Sequence, residues 1–582
     1  MRRRRRLILV AGALLLIGTA AAAVHVGRSA WDLKEALDVA GDDAAIAVKA
    51  VGSGDIDGAK AAADRLVDGI SHEIPDDPVW YAAEALPGIG PNLSAARRAA
   101  TAVVDVADDV APAVLDTARG LEGADAAGAV RVLRHAAPAL TRAAAARDDV
   151  AEDLADIDRN ALVPQLANGV GRVVDAVDDI RPLTDGAAQA ADLVPTILGA
   201  EGDRRILVVL QNTAELRTGG GITGTFLELR AHGGILTLGA QRDSSQFSPA
   251  ASPLTAVPAA EVRSLGDGIG RYVQNTSMTA DFRVTAQLAS AWWQKSGETA
   301  PDVVVSMDPV VLSAILGAIG PVETSAGVLN QKNVIDRLLV EPYRTLDQDA
   351  QGRLFSDAAA AVFTALTERA RPAAMIPGLV GAVEEGRISV WSRHPDEQKV
   401  LARTALAGPL ARQDAAGPNA FAAYFNDATG GKLTPYLTVG LATRSGVCRA
   451  DGLREVEVEV SLGSTLTKRD AETLPVSVTG GGFYGAAAGD IAPTVTVVTP
   501  PGWYAGGVSL DGAAAASVDA GEDGRVLVTR RVDLAPGGSH VLTFRFIAGP
   551  EVPSGAATPE LLHTPLLKRV DVASSDIGCP AA

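Results

Sequence analysis

Apolar and polar positions follow different periods in successive parts of the chain. From 7 to 26 the run is apolar apart from Thr19 and His25, and it carries no acidic or strongly basic side chain. About 20 such residues suffice to cross a bilayer core as a helix. Five arginines at 2–6 precede the run. They would stay on the cytoplasmic side and leave the chain beyond Gly27 outside. The alternative is a cleaved signal peptide, since 20–23 offers small residues to a peptidase. The run is long for a signal peptide, so an uncleaved anchor is preferred, and both readings export the bulk of the chain.

Between about 31 and 200, Ala, Asp, Val and Leu recur at helical spacing, as in Ala96, Ala99, Val103 and Val106. Glycines and prolines at 52–54, 75–78, 87–91, 120–123 and 182 break the pattern into helical hairpins. Alanine favours helix but makes small contacts, so a slender bundle is expected. From Arg204 the character changes. Residues 206–210 form an apolar run typical of a buried strand, and 225–230 alternate like a half-buried one. A turn at 232–234 leads to a returning strand at 235–239. Helices are predicted at 283–295, 309–319, 334–339 and 357–369, and strands at 303–306 and 388–391. This alternation predicts a layered α/β domain. After about 423, β-rich segments at 436–442, 455–462, 495–498, 526–532 and 541–546 predict a β-sandwich.

Composition narrows the function classes. The 582 residues are enough for several cores, roughly three or four domains at about 150 residues each. The formal net charge of -18 opposes phosphate backbones, and no basic stripe with interleaved aromatics occurs, so nucleic-acid binding is not expected. Nine lysines stand against 43 arginines, and Ala and Gly abound. That is the composition of a GC-rich genome, such as an actinobacterial one. Cys448 and Cys579 could remain separate thiols or form one disulfide; export favours the disulfide.

One stretch is dense in chemistry: Gln211-Asn-Thr-Ala-Glu-Leu-Arg-Thr-Gly-Gly-Gly-Ile-Thr-Gly224. Its Gly219-x-Gly221-x-x-Gly224 spacing mimics a dinucleotide loop, but a strand follows it rather than a helix, and no P-loop Lys is present. Glycines there allow a tight turn and close approach. Gln211, Asn212, Glu215 and Arg217 end a buried strand, and Arg242 and Asp243 end the returning one. Two guanidiniums beside carboxylates suit a phosphate with a divalent metal such as magnesium. The plain alternative is an Arg-Glu ion pair that pins a glycine turn. The histidines are scattered, no Gly-x-Ser-x-Gly elbow occurs, and Trp292 and Trp293 read as core on an amphipathic helix.

The pattern Leu207-x-x-Leu210-Gln-Asn-x-x-Glu-Leu-Arg-x-x-Gly-Gly220 resembles the hallmark of a domain-of-unknown-function family of membrane-anchored bacterial envelope proteins. Asp302-Val-Val-Val-Ser-Met-Asp-Pro309 and Phe425-Asn-Asp-x-x-Gly-Gly-Lys432 resemble further blocks of it. That domain is distantly similar to the LytR-CpsA-Psr phosphotransferases, which move glycopolymers from a polyprenyl-pyrophosphate lipid to the cell wall. The resemblance implies that Arg217 and Arg242 bind pyrophosphate, with Asp243 beside them. It also implies that Glu215 or Asp243 holds a metal or takes a proton, and that Gln211, Asn212, Gly219, Gly220 and Asn275 line the ligand site. The start Glu215-Leu-Arg217 departs from the usual Asp-x-Arg.

The expectation is therefore a multidomain α+β protein. It comprises an anchor at 1–27, an Ala-rich helical bundle at 28–200, a central α/β domain at 201–425 and a β-sandwich at 426–582. It is placed in the plasma membrane with its bulk outside. Its function is anion binding, extending to glycopolymer phosphotransfer, or alternatively non-catalytic scaffolding. Its partners are the membrane and a polyprenyl-pyrophosphate lipid or cell-wall glycopolymer.

Overall fold

The computed structural model describes residues 2–325, 327–369, 371–552 and 558–577, with only the helical path for 2–18 and 52–53. The chain forms two compact units, Met1–Thr196 with Pro372–Pro377, and Ile197–Arg371 with Gly378–Ala582.

The first unit is helical. It contains α1 (Arg2–Ser53), α2 (Ile56–Ile70), α3 (Pro78–Glu84), α4 (Gly90–Asp105), α5 (Ala111–Leu121), α6 (Ala126–Ala155), α7 (Pro164–Asp179) and α8 (Arg181–Ile197). Asp55, Asp77 and Asp125 cap α2, α3 and α6 by accepting backbone N–H groups that the first turn leaves unpaired. Alanine lines the seams, as expected. Ala95, Ala99 and Ala102 of α4 pack with Val150 and Leu154 of α6 and with Val170 and Val177 of α7. Leu33 and Ala40 of α1 pack with Leu66 and Ile70 of α2.

The expected anchor is not supported as a membrane span. Among the described residues, no helix is long and apolar enough to cross a membrane. The side chains of 2–18, which include the arginine run and most of the apolar stretch, lie outside the described residues. The far end of that stretch belongs to the bundle. Val26 is buried with Trp80 and Leu93, and His25 Nε2 lies 3.2 Å from Asp77 Oδ2. The helix runs through Gly27 without a break.

The second unit begins with a five-stranded sheet in the order β3-β2-β1-β4-β7. Its strands are β1 (Arg204–Asn212), β2 (Ile222–His232), β3 (Ile235–Asp243), β4 (Val303–Met307) and β7 (Ile388–Ser392), and a small hairpin, β5 (Val322–Thr324) and β6 (Gly327–Leu329), stands apart. β1 and β4 are parallel; the other neighbours are antiparallel. Helices α9 (Ala259–Leu265), α10 (Phe282–Lys295), α11 (Pro309–Ile319), α12 (Glu341–Thr345) and α13 (Gln348–Arg369) accompany it. One sheet face carries Leu207, Val209 and Phe226 and packs on Trp292 and Trp293 of α10, which are core as the sequence suggested. The other face looks towards α11 and α13.

Two further sheets complete the unit. One has the order β14-β15-β11-β8-β17, from Val518–Glu522, Arg525–Arg531, Pro493–Val498, Ala420–Asp427 and Glu560–His563. The other has the order β13-β12-β16-β10-β9-β18, from Ala513–Ala515, Trp503–Leu510, Ser539–Ala548, Glu455–Ser464, Leu437–Gly446 and Val572–Asp576. They share one core, in which Phe421, Phe425 and Val497 of the first meet Val458, Trp503 and Phe546 of the second. Cys448 is disulfide-bonded; Cys579 lies outside the described residues.

Where α9 meets β14 and β15, a carboxyl group is buried at a cost. Glu261 Oε1 accepts the Thr279 hydroxyl, while Oε2 has no partner among the described residues. Burial pushes this carboxyl up to about 7; the Thr279 hydrogen bond opposes the rise, and nearby Glu522 and Asp281 add to it. In the unfolded chain the group titrates near 4.5. The folded state thus holds the proton more tightly, and its contribution to stability falls as pH rises from about 4.5 to about 7. Glu261→Gln is expected to raise stability at pH 8 by roughly 2–3 kcal/mol and much less at pH 5. Urea unfolding at both pH values measures this, and an equal gain at both would exclude Glu261 titration as the cause.

Candidate functional site

The motif loop between β1 and β2 is built around the side chain of Gln211. Its Nε2 donates to Ser306 Oγ at 2.6 Å, and its Oε1 accepts from Gly221 N at 3.1 Å. The glycines leave room for this side chain. A Cβ on Gly219 would lie 2.9 Å from Gln211 Nε2, and one on Gly220 would lie 2.8 Å from Oε1. Gly220 also has φ +121°, a region that disfavours any side chain. At Gly221 a Cβ would fall on the Asn212 backbone carbonyl. Asn212 Oδ1 accepts from Ala214 N at 3.0 Å, and its amide donates to the Tyr343 hydroxyl.

Arg217 is buried, and every nitrogen of its guanidinium is used. Nη2 donates to Glu215 Oε1 and Asn275 Oδ1, both at 2.9 Å, and Nε reaches Asn275 Oδ1 at 3.3 Å. Nη1 donates to the carbonyls of Leu216 at 2.8 Å and Asp427 at 3.2 Å. The other Glu215 oxygen accepts from Lys432 Nζ. Burial alone would raise the Glu215 carboxyl, but Lys432 and Arg217 together outweigh it and hold the group below its usual range. Asp427, half-buried and facing the Glu215 charge, is pushed up to about 6 by desolvation and that charge. The loop is also stitched to β8: Thr218 and Asn426 exchange bonds of 3.1 and 3.0 Å, and Asp427 N donates to Leu216 O at 2.9 Å.

This network lines one end of a cavity of about 1290 Å³. Most of the cavity lining is apolar. Val208, Leu210, Leu227 and Leu229 face it from the sheet, and Leu312 and Ile315 of α11 and Phe355, Val362 and Phe363 of α13 face it from the helices. Glu215, Arg217, Asn275, Asp427 and Lys432 supply the polar end, with Asp243 and Ser244 beside them.

The structure thus gathers Gln211, Asn212, Glu215, Arg217, Gly219, Gly220 and Asn275 at one place and leaves Arg242 out. Arg242 pairs across strands with Phe226, whose ring packs on Trp293 on the sheet face opposite the cavity-lining Leu227 and Leu229. Cross-strand partners share a face. There Arg242 forms an ion pair with Glu298. The expected convergence of Arg217 and Arg242 on one phosphate therefore does not occur. Asp243 lines the cavity, but its Oδ1 caps the short turn Ser244–Gln246 by accepting from Ser245 N at 2.9 Å. Among the described residues, no three His, Cys, Asp or Glu side chains are placed to hold a metal ion. Sequence reasoning missed Lys432 and Asp427 as partners of the motif. The available signal was the second polar, glycine-rich block, Asn426-Asp-x-x-Gly-Gly-Lys432. Tyr343 carries no signal of its own in the sequence.

No curated protein and no solved structure matches the chain. Residues 201–343, from the start of β1 to the tyrosine that meets Asn212, match the model of a family described as Protein of unknown function (DUF4012).

Proposed function

We propose that this is an extracytoplasmic cell-envelope protein whose α/β core binds a long-chain amphiphile, of the polyprenyl-pyrophosphate class, without transferring it. The observation that carries this reading is the cavity, at about 1290 Å³ larger than the roughly 300–1,000 Å³ of ordinary ligand clefts, with mostly apolar walls and one polar end. An apolar chain gains from leaving water along such walls, and a polar head is left at the motif loop. The arginine run followed by an apolar stretch supports export. The C-terminal sheets, read as a β-sandwich, frame the polar end through β8.

Binding is favoured over phosphotransfer by the state of the charges. Arg217 and Lys432 already neutralise Glu215, and Arg242 faces the other side of the sheet. A pyrophosphate at the polar end would meet hydrogen-bonding groups such as Asn275 and Ser244 rather than a pair of free guanidiniums. The test is retention of a radiolabelled polyprenyl pyrophosphate by the full chain through gel filtration. Ala359 lines the cavity from α13. Ala359→Trp, which fills the cavity, is expected to lower retention at least about tenfold with the circular dichroism spectrum kept. No retention by wild type, or equal retention by the variant, overturns the reading.

A further inference from the structure

An uncharged segment with large exposed side chains lies beside the polar end of the cavity. Residues 474–489, Leu-Pro-Val-Ser-Val-Thr-Gly-Gly-Gly-Phe-Tyr-Gly-Ala-Ala-Ala-Gly, contain no charged residue in a chain that is 21% charged. Three large apolar side chains in this segment stand in solvent: Val476 at 61% exposure, Phe483 at 76% and Tyr484 at 65%. Val476 and Phe483 adjoin, and Tyr484 follows Phe483 in the chain. A Cβ on Gly481 would strike both the Phe483 ring and Val476 Cγ1, and a Cβ on Gly430 would meet the Tyr484 ring at 2.9 Å. The segment is held from below. Val478 is buried in the core between the two C-terminal sheets, and its carbonyl accepts from Lys432 N at 2.8 Å. Gly480, Gly481 and Gly482 have φ of +72°, +64° and +78°, so the outward turn needs glycine at each position.

The segment is continuous with the cavity, because Pro475, Ser477 and Tyr484 line its polar end. An amphiphile with a long apolar chain is held by bilayers and crosses water poorly. A protein that takes it up directly needs an uncharged surface at the cavity mouth that can enter the bilayer interface. Phe and Tyr at the tip suit that interface, where an apolar ring body and a hydroxyl each find a partner. We infer that the cavity opens beside the segment 474–489 and that this segment docks on a lipid bilayer, so that the chain passes from membrane to protein without crossing water. The inference rests on the reading of the cavity as an amphiphile slot.

The test uses the full chain carrying Phe483→Cys labelled with an environment-sensitive fluorophore, mixed with phosphatidylcholine and phosphatidylglycerol vesicles that contain spin-labelled lipid. Ile235→Cys, at the exposed tip of the β2–β3 hairpin, is the control. The label at 483 is expected to shift to the blue and be quenched, and the label at 235 to do neither. Identical behaviour at both sites overturns the inference. So does a change at 483 that depends on protein concentration and needs no vesicles, which would make a second copy of the chain the occupant. Val476→Ser with Phe483→Ser separates docking from the cavity. This double variant is expected to retain polyprenyl pyrophosphate added in detergent while loading it from vesicles at least about tenfold more slowly than wild type. Equal loading rates sink the docking inference alone, and failure of wild type to retain the lipid in detergent sinks the cavity reading alone.

Discussion

Replacing Arg217 by alanine is expected to cost about 3–5 kcal/mol of folding stability, measured by urea unfolding. The loss follows from what the guanidinium leaves behind: the Glu215 carboxylate, the Asn275 amide oxygen and two backbone carbonyls, all enclosed. An unpaired buried acceptor costs more than its bond contributes when made. Arg217→Lys is expected to recover little, since an ammonium cannot span carboxylate, amide and carbonyls in one plane. Arg242→Ala provides the contrast. Both members of its ion pair are partly exposed, and the loss should be about 1 kcal/mol or less. A ligand-gripping Arg217 would behave in the opposite way, with near-normal stability in the free protein and a loss seen only in binding. Wild-type stability of Arg217→Ala would therefore refute the network as the purpose of the motif.

A second substitution should be as costly. Asp308 caps α11, accepting from Val310 N at 2.9 Å and Val311 N at 3.1 Å, and its other oxygen takes Arg387 Nη1 at 2.6 Å. Arg387 also donates to Leu566 O at 2.6 Å and to Glu385. Both members of the pair are buried, and burial keeps the Asp308 carboxyl above its usual range even with Arg387 beside it. Arg387→Met is expected to destabilise by about 3–5 kcal/mol near pH 8, because it strands a carboxylate under α11. The sign of the pH dependence is fixed by the raised carboxyl. Without Arg387 it rises further, the folded state binds the proton more tightly than the unfolded one, and stability returns as pH falls towards 5. Thermal unfolding across that range reads the effect, and a variant equally unstable at both ends would place the damage elsewhere than at Asp308. Because α11 contributes Leu312 and Ile315 to the cavity wall, amphiphile retention should weaken in parallel.

Strong local signals carried much of the fold. The apolar run 206–210 lies inside β1, and helical spacing marks α10 to within a residue. Asp308-Pro309 before α11 and Gly320-Pro321 after it bracket that helix as written. Weak propensity hid other elements. β8 reads Ala-Phe-Ala-Ala-Tyr-Phe-Asn-Asp and is buried along most of its length, so neither alternation nor β-branched residues announce it. β12 to β14 are rich in Ala and Gly and become strands through pairing, β12 with the later β16 and β13 and β14 with their neighbours β12 and β15. β17 and β18 add to β8 and β9 in parallel, which no local pattern encodes.

The candidate site divides in the same way. The residues of the motif were legible as a cluster, and an Arg-Glu pair pinning a glycine turn was one of the two readings they allowed. Its completion by Asn426, Asp427 and Lys432 was not legible, because those residues lie more than 200 positions downstream. Arg242 misled because side-chain direction depends on strand register. Between Leu227 and Leu229 of β2 the register shifts, because three steps along β3 (Gln241 to Leu238) oppose two along β2, and spacing alone does not reveal this.

The attachment of the motif loop to distant segments also sets an order of events during synthesis. Thr218 bonds to Asn426 across 208 positions, and its carbonyl takes the Thr564 hydroxyl across 346. A chain that emerges from its N-terminus has made the motif long before it has made these partners. Contacts so far apart in sequence are slow to close. Until they do, Glu215, Arg217 and the backbone groups around them must remain hydrated, so the stretch most recognisable in the sequence can be completed only after residue 564 is available.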